Sequence, residues 1–140
     1  MSTQMSDPRD LFLHELGDVL YAEQMLVKTL PKLQAEAADD ELAQGFGEHL
    51  EETRQHVQNL EQAFAELDEP VKAEKCPGIE GIKKEHDEFV SNESPSPEVL
   101  DAFLLLAHAA FSCPIWIAAS SLLCCSGVPY SRRSSVTARP

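Results

Sequence analysis

An all-α fold, an up-down helical bundle built on a long antiparallel hairpin, is predicted by three features of the 140-residue chain. Two long stretches carry apolar side chains at three- and four-residue spacing, the mark of helices with one face on a core. The link between them is as short as Asp39-Asp40, and capping residues or prolines stand where each helix should begin. With 43% apolar residues, the length suits one domain around one core.

The first helix is announced by Ser6-Asp7-Pro8, with Asp7 as cap and Pro8 at the first helical position. Its apolar stripe is Phe12, Leu16, Val19, Leu20, Leu26, Val27 and Leu30, and it runs to about Ala37. Pro31 lies within the pattern and removes one backbone donor, which predicts a kink near Val27 rather than a stop, since Leu30, Leu33 and Ala37 keep the period. Asp39-Asp40 then serves as turn and cap for a second helix, Glu41 to about Leu67, with Leu42, Phe46, Leu50, Thr53, Val57, Leu60, Phe64 and Leu67 on one face. So short a connection makes the two helices antiparallel neighbours.

A linker holding Cys76-Pro77-Gly78 leads to a short amphipathic segment, Ile79 to Val90, with Ile79, Ile82, His86, Phe89 and Val90 facing inward. Ser94-Pro95-Ser96-Pro97 breaks the chain, and Ser96 as cap, Pro97 at the first helical position and Glu98 in the first turn start a further helix at Val99, expected to break around Pro114. Residues 1–106 are thus read as the N-terminal part of the bundle and 107–140 as an apolar, then polar, tail.

Charge is unevenly placed. Residues 1–106 hold all 24 acids and eight of the 11 Lys and Arg, while the remaining three bases, Arg132, Arg133 and Arg139, lie near the end. An acidic body of this kind repels nucleic acid and anionic membrane and favours cations or basic partners. Met1 to Asp10 has no apolar signal core, so a cytoplasmic protein is expected. Residues 102–125 carry no Lys, Arg, Asp or Glu and are long enough to span a bilayer, but His108, Pro114 and several Ser and Cys weigh against a membrane tether. Cys76, Cys113, Cys124 and Cys125 contain no CxxC pair, which indicates reduced thiols rather than a zinc knuckle or a disulfide framework.

The informative residue is Glu23. At about 100° per residue it falls near the middle of the first apolar stripe, in line with Leu16, Val19 and Leu30. A carboxylate there requires a cation, a hydrogen-bond partner or a metal. Counting outward from the turn sets it level with about residue 56, where His49, Glu52 and His56 project from one side of the second helix. Carboxylate oxygens with imidazoles suit iron, manganese or zinc. The same residues also read as a buried neutral His49 bonded to a backbone carbonyl or to Glu23, with Glu52 and His56 a half-exposed helix pair. His14, Glu15 and Asp18 fall on more exposed faces, His86 packs against the bundle, and Tyr21 and the lone Trp116 are packing residues.

Asp10 to Gln24, Leu30-Pro31-Lys32-Leu33, His49 to Thr53, Asn59-Leu60-Glu61 and Cys76 ahead of Glu80-Gly81 together resemble the YciE/YciF family of bacterial ferritin-like proteins over residues 8–106. The resemblance implies a rubrerythrin-like four-helix bundle with a dimetal carboxylate centre and a connection to stress responses. It assigns Glu23 and Glu52 to the inward carboxylates and His49 to the second-helix histidine, while His56 stands where relatives commonly have glutamine. The chain departs from the pattern where relatives continue with Glu-His-Tyr-Glu and then Ile-Ala-Ala. Ile117-Ala118-Ala119 survives, but Cys113-Pro114-Ile115-Trp116 precedes it, and beyond Asp101 only the C-terminus offers a carboxylate.

An intact dinuclear site is therefore not expected within one copy, and the change of composition fits a frameshifted or truncated reading frame. Three readings follow: a metal oxidase or peroxide scavenger needing ligands from another chain; a homodimer that rebuilds a four-helix iron or manganese centre; or a degenerate, non-catalytic remnant. Two long amphipathic helices with an altered tail to cover them predict low stability or self-association.

Overall fold

The computed structural model describes residues 7–111, with side chains through residue 107. Helix α1 spans Pro8–Glu36, α2 Asp40–Glu66, α3 Pro77–Glu93 and α4 Pro97–Phe111, with no strand among the described residues. Readings that fall beyond them, namely Pro114, Cys113, Cys124, Cys125, Trp116, Ile117-Ala118-Ala119 and most of the span 102–125, lie outside the described residues. Among those described, no helix is long and apolar enough to cross a membrane.

The predicted start signals are the observed ones. The Asp7 side chain accepts from Arg9 N–H at 2.9 Å, and Asp39 from Leu42 N–H at 2.9 Å, each satisfying an orphan donor of a first helical turn. α1 continues through Pro31 to Glu36. α3 begins at Pro77, two residues before its apolar pattern, because the leading proline is itself helical, while α4 begins at Pro97, the first helical position its sequence marks. Ser94 closes α3 with φ at 45°, in the left-handed region.

α1 and α2 pack antiparallel. Arg9 reaches the Leu67 carbonyl and Glu69 (3.1 and 3.0 Å), Glu23 faces His56, and Gly47 lies under the Gln34 side chain, so partners descend in number along α2 as they ascend along α1. α3 lies parallel to α1, through Tyr21 to Glu80, Lys32 to Asp87 and Glu36 to His86. α4 returns against α3 with Phe103 stacked on Phe89 at a centroid distance of 4.1 Å.

Two apolar clusters result. Leu26, Leu30, Leu33, Phe46 and Leu50 meet Cys76, Ile79 and Leu104 at the turn end of the hairpin. Leu16, Leu20, Leu60, Ala63 and Phe64 form a second cluster at the open end, drawn from α1 and α2 alone. Phe12, placed on the apolar stripe by its spacing, is 47% exposed, since it sits in the first turns of α1 where α2 is ending. Of the inward set of α3 only Ile79 and His86 are buried; Ile82, Phe89 and Val90 are half-buried.

Two long-range ties fix the connections. The α2–α3 linker crosses α1 at Gly17, where Glu74 N–H donates to the Gly17 carbonyl at 2.9 Å. At the other end, Asp101 of α4 accepts from the backbone N–H groups of Ala38 (2.8 Å) and Asp39 (3.0 Å), capping the hairpin turn from outside. Asp101→Ala should therefore cost about 1–2 kcal/mol, the scale of a lost charged acceptor on a helix entry, read as a lower urea midpoint. An unchanged midpoint would mean that water replaces the carboxylate without loss.

Candidate functional site

Between the two apolar clusters lies a polar layer. From α1 it takes Glu23, 9% exposed, and from α2 Thr53, fully buried, and His56, half-buried. Glu23 Oε1 stands 3.4 Å from His56 Nδ1. The other carboxylate oxygen, Oε2, and the Thr53 hydroxyl have no hydrogen-bond partner among the described residues. The register counted from the hairpin turn thus brings Glu23 and His56 together. The Glu23 carboxylate pushes the His56 imidazole above its ordinary value of 6.5, outweighing the burial that pulls it down, with a smaller push from Glu52.

His49 is half-buried two turns before His56. Glu52 does not join the layer: it is exposed. The reason is helical phase, since Glu52 lies about 100° round the axis from Thr53, which takes the inward position instead. Among the described residues no three His, Cys, Asp or Glu side chains converge as a metal-binding group. Thr53 was legible as part of an apolar face but not as a polar partner of the layer, because a lone threonine in a hydrophobic stripe has no signature of its own.

A second polar cluster joins α1 to α3. His86, 4% exposed, sets Nε2 2.9 Å from Glu36 Oε2 and Nδ1 3.3 Å from Asp87 Oδ1, with Phe103 tilted over the ring at 6.3 Å. Asp87 also takes Lys83 and, at 3.0 Å, Lys32. Lys83 first and Lys32 second hold its carboxyl far below the usual 3.8. The i, i+4 spacings Lys32–Glu36 and Lys83–Asp87 are visible in sequence, but the contact between Glu36 and His86, 50 residues apart, is made by the fold.

A carboxylate lowered by folding stabilises the folded state above its unfolded pKa and loses that contribution as pH falls through the folded value. Wild-type urea midpoints should accordingly fall more steeply below pH about 4 than those of Asp87→Asn, so that the gap between the two narrows steadily as the pH is lowered further. A constant gap across that range would show that the lysine contacts are not maintained in solution.

Tyr21, read as a packing residue, donates its hydroxyl to Glu80 Oε1 at 2.7 Å, and Glu80 also pairs with Lys75 at 3.1 Å. Cys76, at the N-cap of α3, is buried and makes no capping bond; burial pushes its thiol up, which disfavours the reactive thiolate.

The profile of the domain of unknown function DUF892 matches residues 7–113. YciF of Escherichia coli K12 is 34% identical over 104 residues, which is 74% of this chain and 62% of YciF, so the chain spans less than two thirds of that curated relative. Among solved structures, YcfI of Rhodopseudomonas palustris matches with a TM-score of 0.79 at 34% identity, covering 88% of this chain and 79% of that one. The crystal structure of the Escherichia coli stress protein YciF matches with a TM-score of 0.74 at 30% identity, covering 85% and 76%. These likenesses bear out the all-α, ferritin-like helical fold, and by profile, sequence and structure together the chain belongs to the DUF892 family.

Proposed function

We propose that the chain is a stress-response-type member of this family in which the Glu23–His56 layer is a degenerate metal site, able to hold one divalent transition metal weakly and short of the donors for dimetal chemistry. The observation that carries this reading is the Glu23 carboxylate: buried between two apolar clusters, with one oxygen toward His56 and the other without a donor among the described residues. A buried anionic oxygen of this kind favours a cation. Iron or manganese would find Glu23 and His56 first, with His49 along the same helix.

The donor set does not fit a dinuclear centre. Glu52 faces solvent, no third carboxylate or imidazole converges among the described residues, and residues 102–140 contain no acidic side chain. No oxidase or peroxidase step is therefore assigned to one copy of the chain. Additional ligands would have to come from a second copy.

Titration of the full chain with Mn(II), followed by electron paramagnetic resonance and calorimetry, tests the reading. One weak site per chain, abolished in Glu23→Leu, is the expected result, with Fe(II) oxidation no faster than in buffer. Two ions per chain together with rapid Fe(II) oxidation would overturn it in favour of a rebuilt dimetal centre, and no binding at millimolar metal would reduce the chain to a scaffold. Light scattering with and without Mn(II) reports whether a second copy takes part.

A further inference from the structure

The groove between α2 and α4 has an apolar floor and an acidic rim. Leu42, Phe46, Ala102 and Leu105 line it together with the carboxylates of Glu41 and Glu98, and its volume is about 600 Å³. Phe46 closes the bottom at 1% exposure, whereas Leu105 and the adjoining Leu106 stand 58% and 72% exposed on α4. Neighbouring exposed leucines beside an open apolar floor mark a surface that lacks its cover.

The chain itself supplies a complementary segment. α4 forms one wall of the groove, and its last residue, Phe111, lies about 9 Å along the axis from Leu105, so the chain leaves close to the opening. At least 29 residues follow, 112–140. Residues 112–125 carry no charge and include Ile115, Trp116, Ile117, Leu122 and Leu123; the remainder has no acid and holds Arg132, Arg133 and Arg139. An uncharged apolar stretch followed by three cations matches an apolar floor rimmed by carboxylates. A second copy of the same strongly acidic body would instead set like charges against the rim, which disfavours it as the occupant.

We infer that residues 112–140 dock intramolecularly in the α2–α4 groove, the apolar part over Leu42, Phe46, Ala102 and Leu105 and the arginines toward Glu41 and Glu98. Tethering places the segment at high effective concentration over the groove, so the contact needs little intrinsic affinity.

Trp116 is the only tryptophan and lies in the docking segment, so its accessibility to acrylamide in the full-length chain reads the contact directly. In the wild type, quenching should be several-fold weaker than for free N-acetyltryptophanamide and independent of protein concentration. Leu105→Glu, a change at an exposed position, should raise it several-fold, and Phe12→Glu, an exposed apolar site at the opposite end of the hairpin, should not. Neutralising the rim in Glu41→Gln/Glu98→Gln should raise quenching at low salt and leave it unchanged at high salt. Circular dichroism establishes that each variant keeps its helix content, and the rim variant carries the test if Leu105→Glu does not fold. A Trp116 as accessible as the free amide, protection that is lost on dilution, or equal effects of Leu105→Glu and Phe12→Glu would each overturn the inference, the second by identifying another copy as the occupant.

Discussion

Glu23→Leu should stabilise the chain, by about 1–3 kcal/mol, the scale of burying a leucine side chain, because the partner left behind, His56, is partly exposed and is not stranded without water. Glu23 lies on α1 between Leu20 and Leu26, and its neighbours along the core are the two hydrophobic clusters. Folding takes the Glu23 carboxylate largely out of water, yet one oxygen is met only by His56 at 3.4 Å, and among the described residues no donor reaches the other. A leucine removes that desolvation cost and joins the clusters into one apolar seam, worth about 1.5–3 kcal/mol of transfer free energy for the side chain.

The loss on the other side is small, because His56 is 34% exposed at its side chain, so water can meet the imidazole once the acid is gone. Chemical unfolding in the presence of chelator, so that no metal contributes, measures the difference. A destabilised Glu23→Leu would mean that the pair with His56 outweighs its desolvation, and that the carboxylate serves folding rather than a ligand.

Gly17→Ala should destabilise by about 2 kcal/mol, lowering the midpoint of thermal unfolding by about 10 °C for a domain of this size. On helix propensity alone the change is favourable by about 1 kcal/mol, which makes the sign a discriminating test. A Cβ at Gly17 would lie 2.6 Å from the Lys72 carbonyl oxygen and 3.2 Å from the Glu74 amide nitrogen, both backbone atoms of the linker that crosses α1. Backbone cannot turn aside as a side chain does, so the linker must lift, and the Glu74 to Gly17 hydrogen bond goes with it. Gly81 is the control. Nothing lies within 4 Å of a Cβ placed there, it is exposed on α3, and Gly81→Ala should gain about 1 kcal/mol. If the two variants moved stability in the same direction, the close crossing at Gly17 would not exist in solution.

The hairpin was legible because its signals are local. Asp7-Pro8 and Asp39 begin α1 and α2, the apolar spacing sets which face is inward, and a three-residue connection leaves antiparallel packing as the outcome. Register follows from counting out from that turn, which is why Glu23 could be matched to His56. Glu52 shows where that reasoning runs out: it shares a helix side with His56, but the inward slot in its turn goes to Thr53, and a difference of about 100° separates a ligand position from solvent.

What residue order determined by itself is composition, including the lack of acidic side chains after Asp101, and whatever depends on neighbours within one or two helical turns: helix starts, amphipathic faces and an acid misplaced among hydrocarbons. What only the tertiary structure decided depends on segments distant in sequence: the linker crossing α1 at Gly17, Asp101 reaching back to cap the α1–α2 turn, and the contact of His86 with Glu36. Local spacing is dictated by the 3.6-residue repeat of a single helix. The approach of one backbone to another is set by how several apolar faces share one core, and no short stretch of sequence contains that geometry.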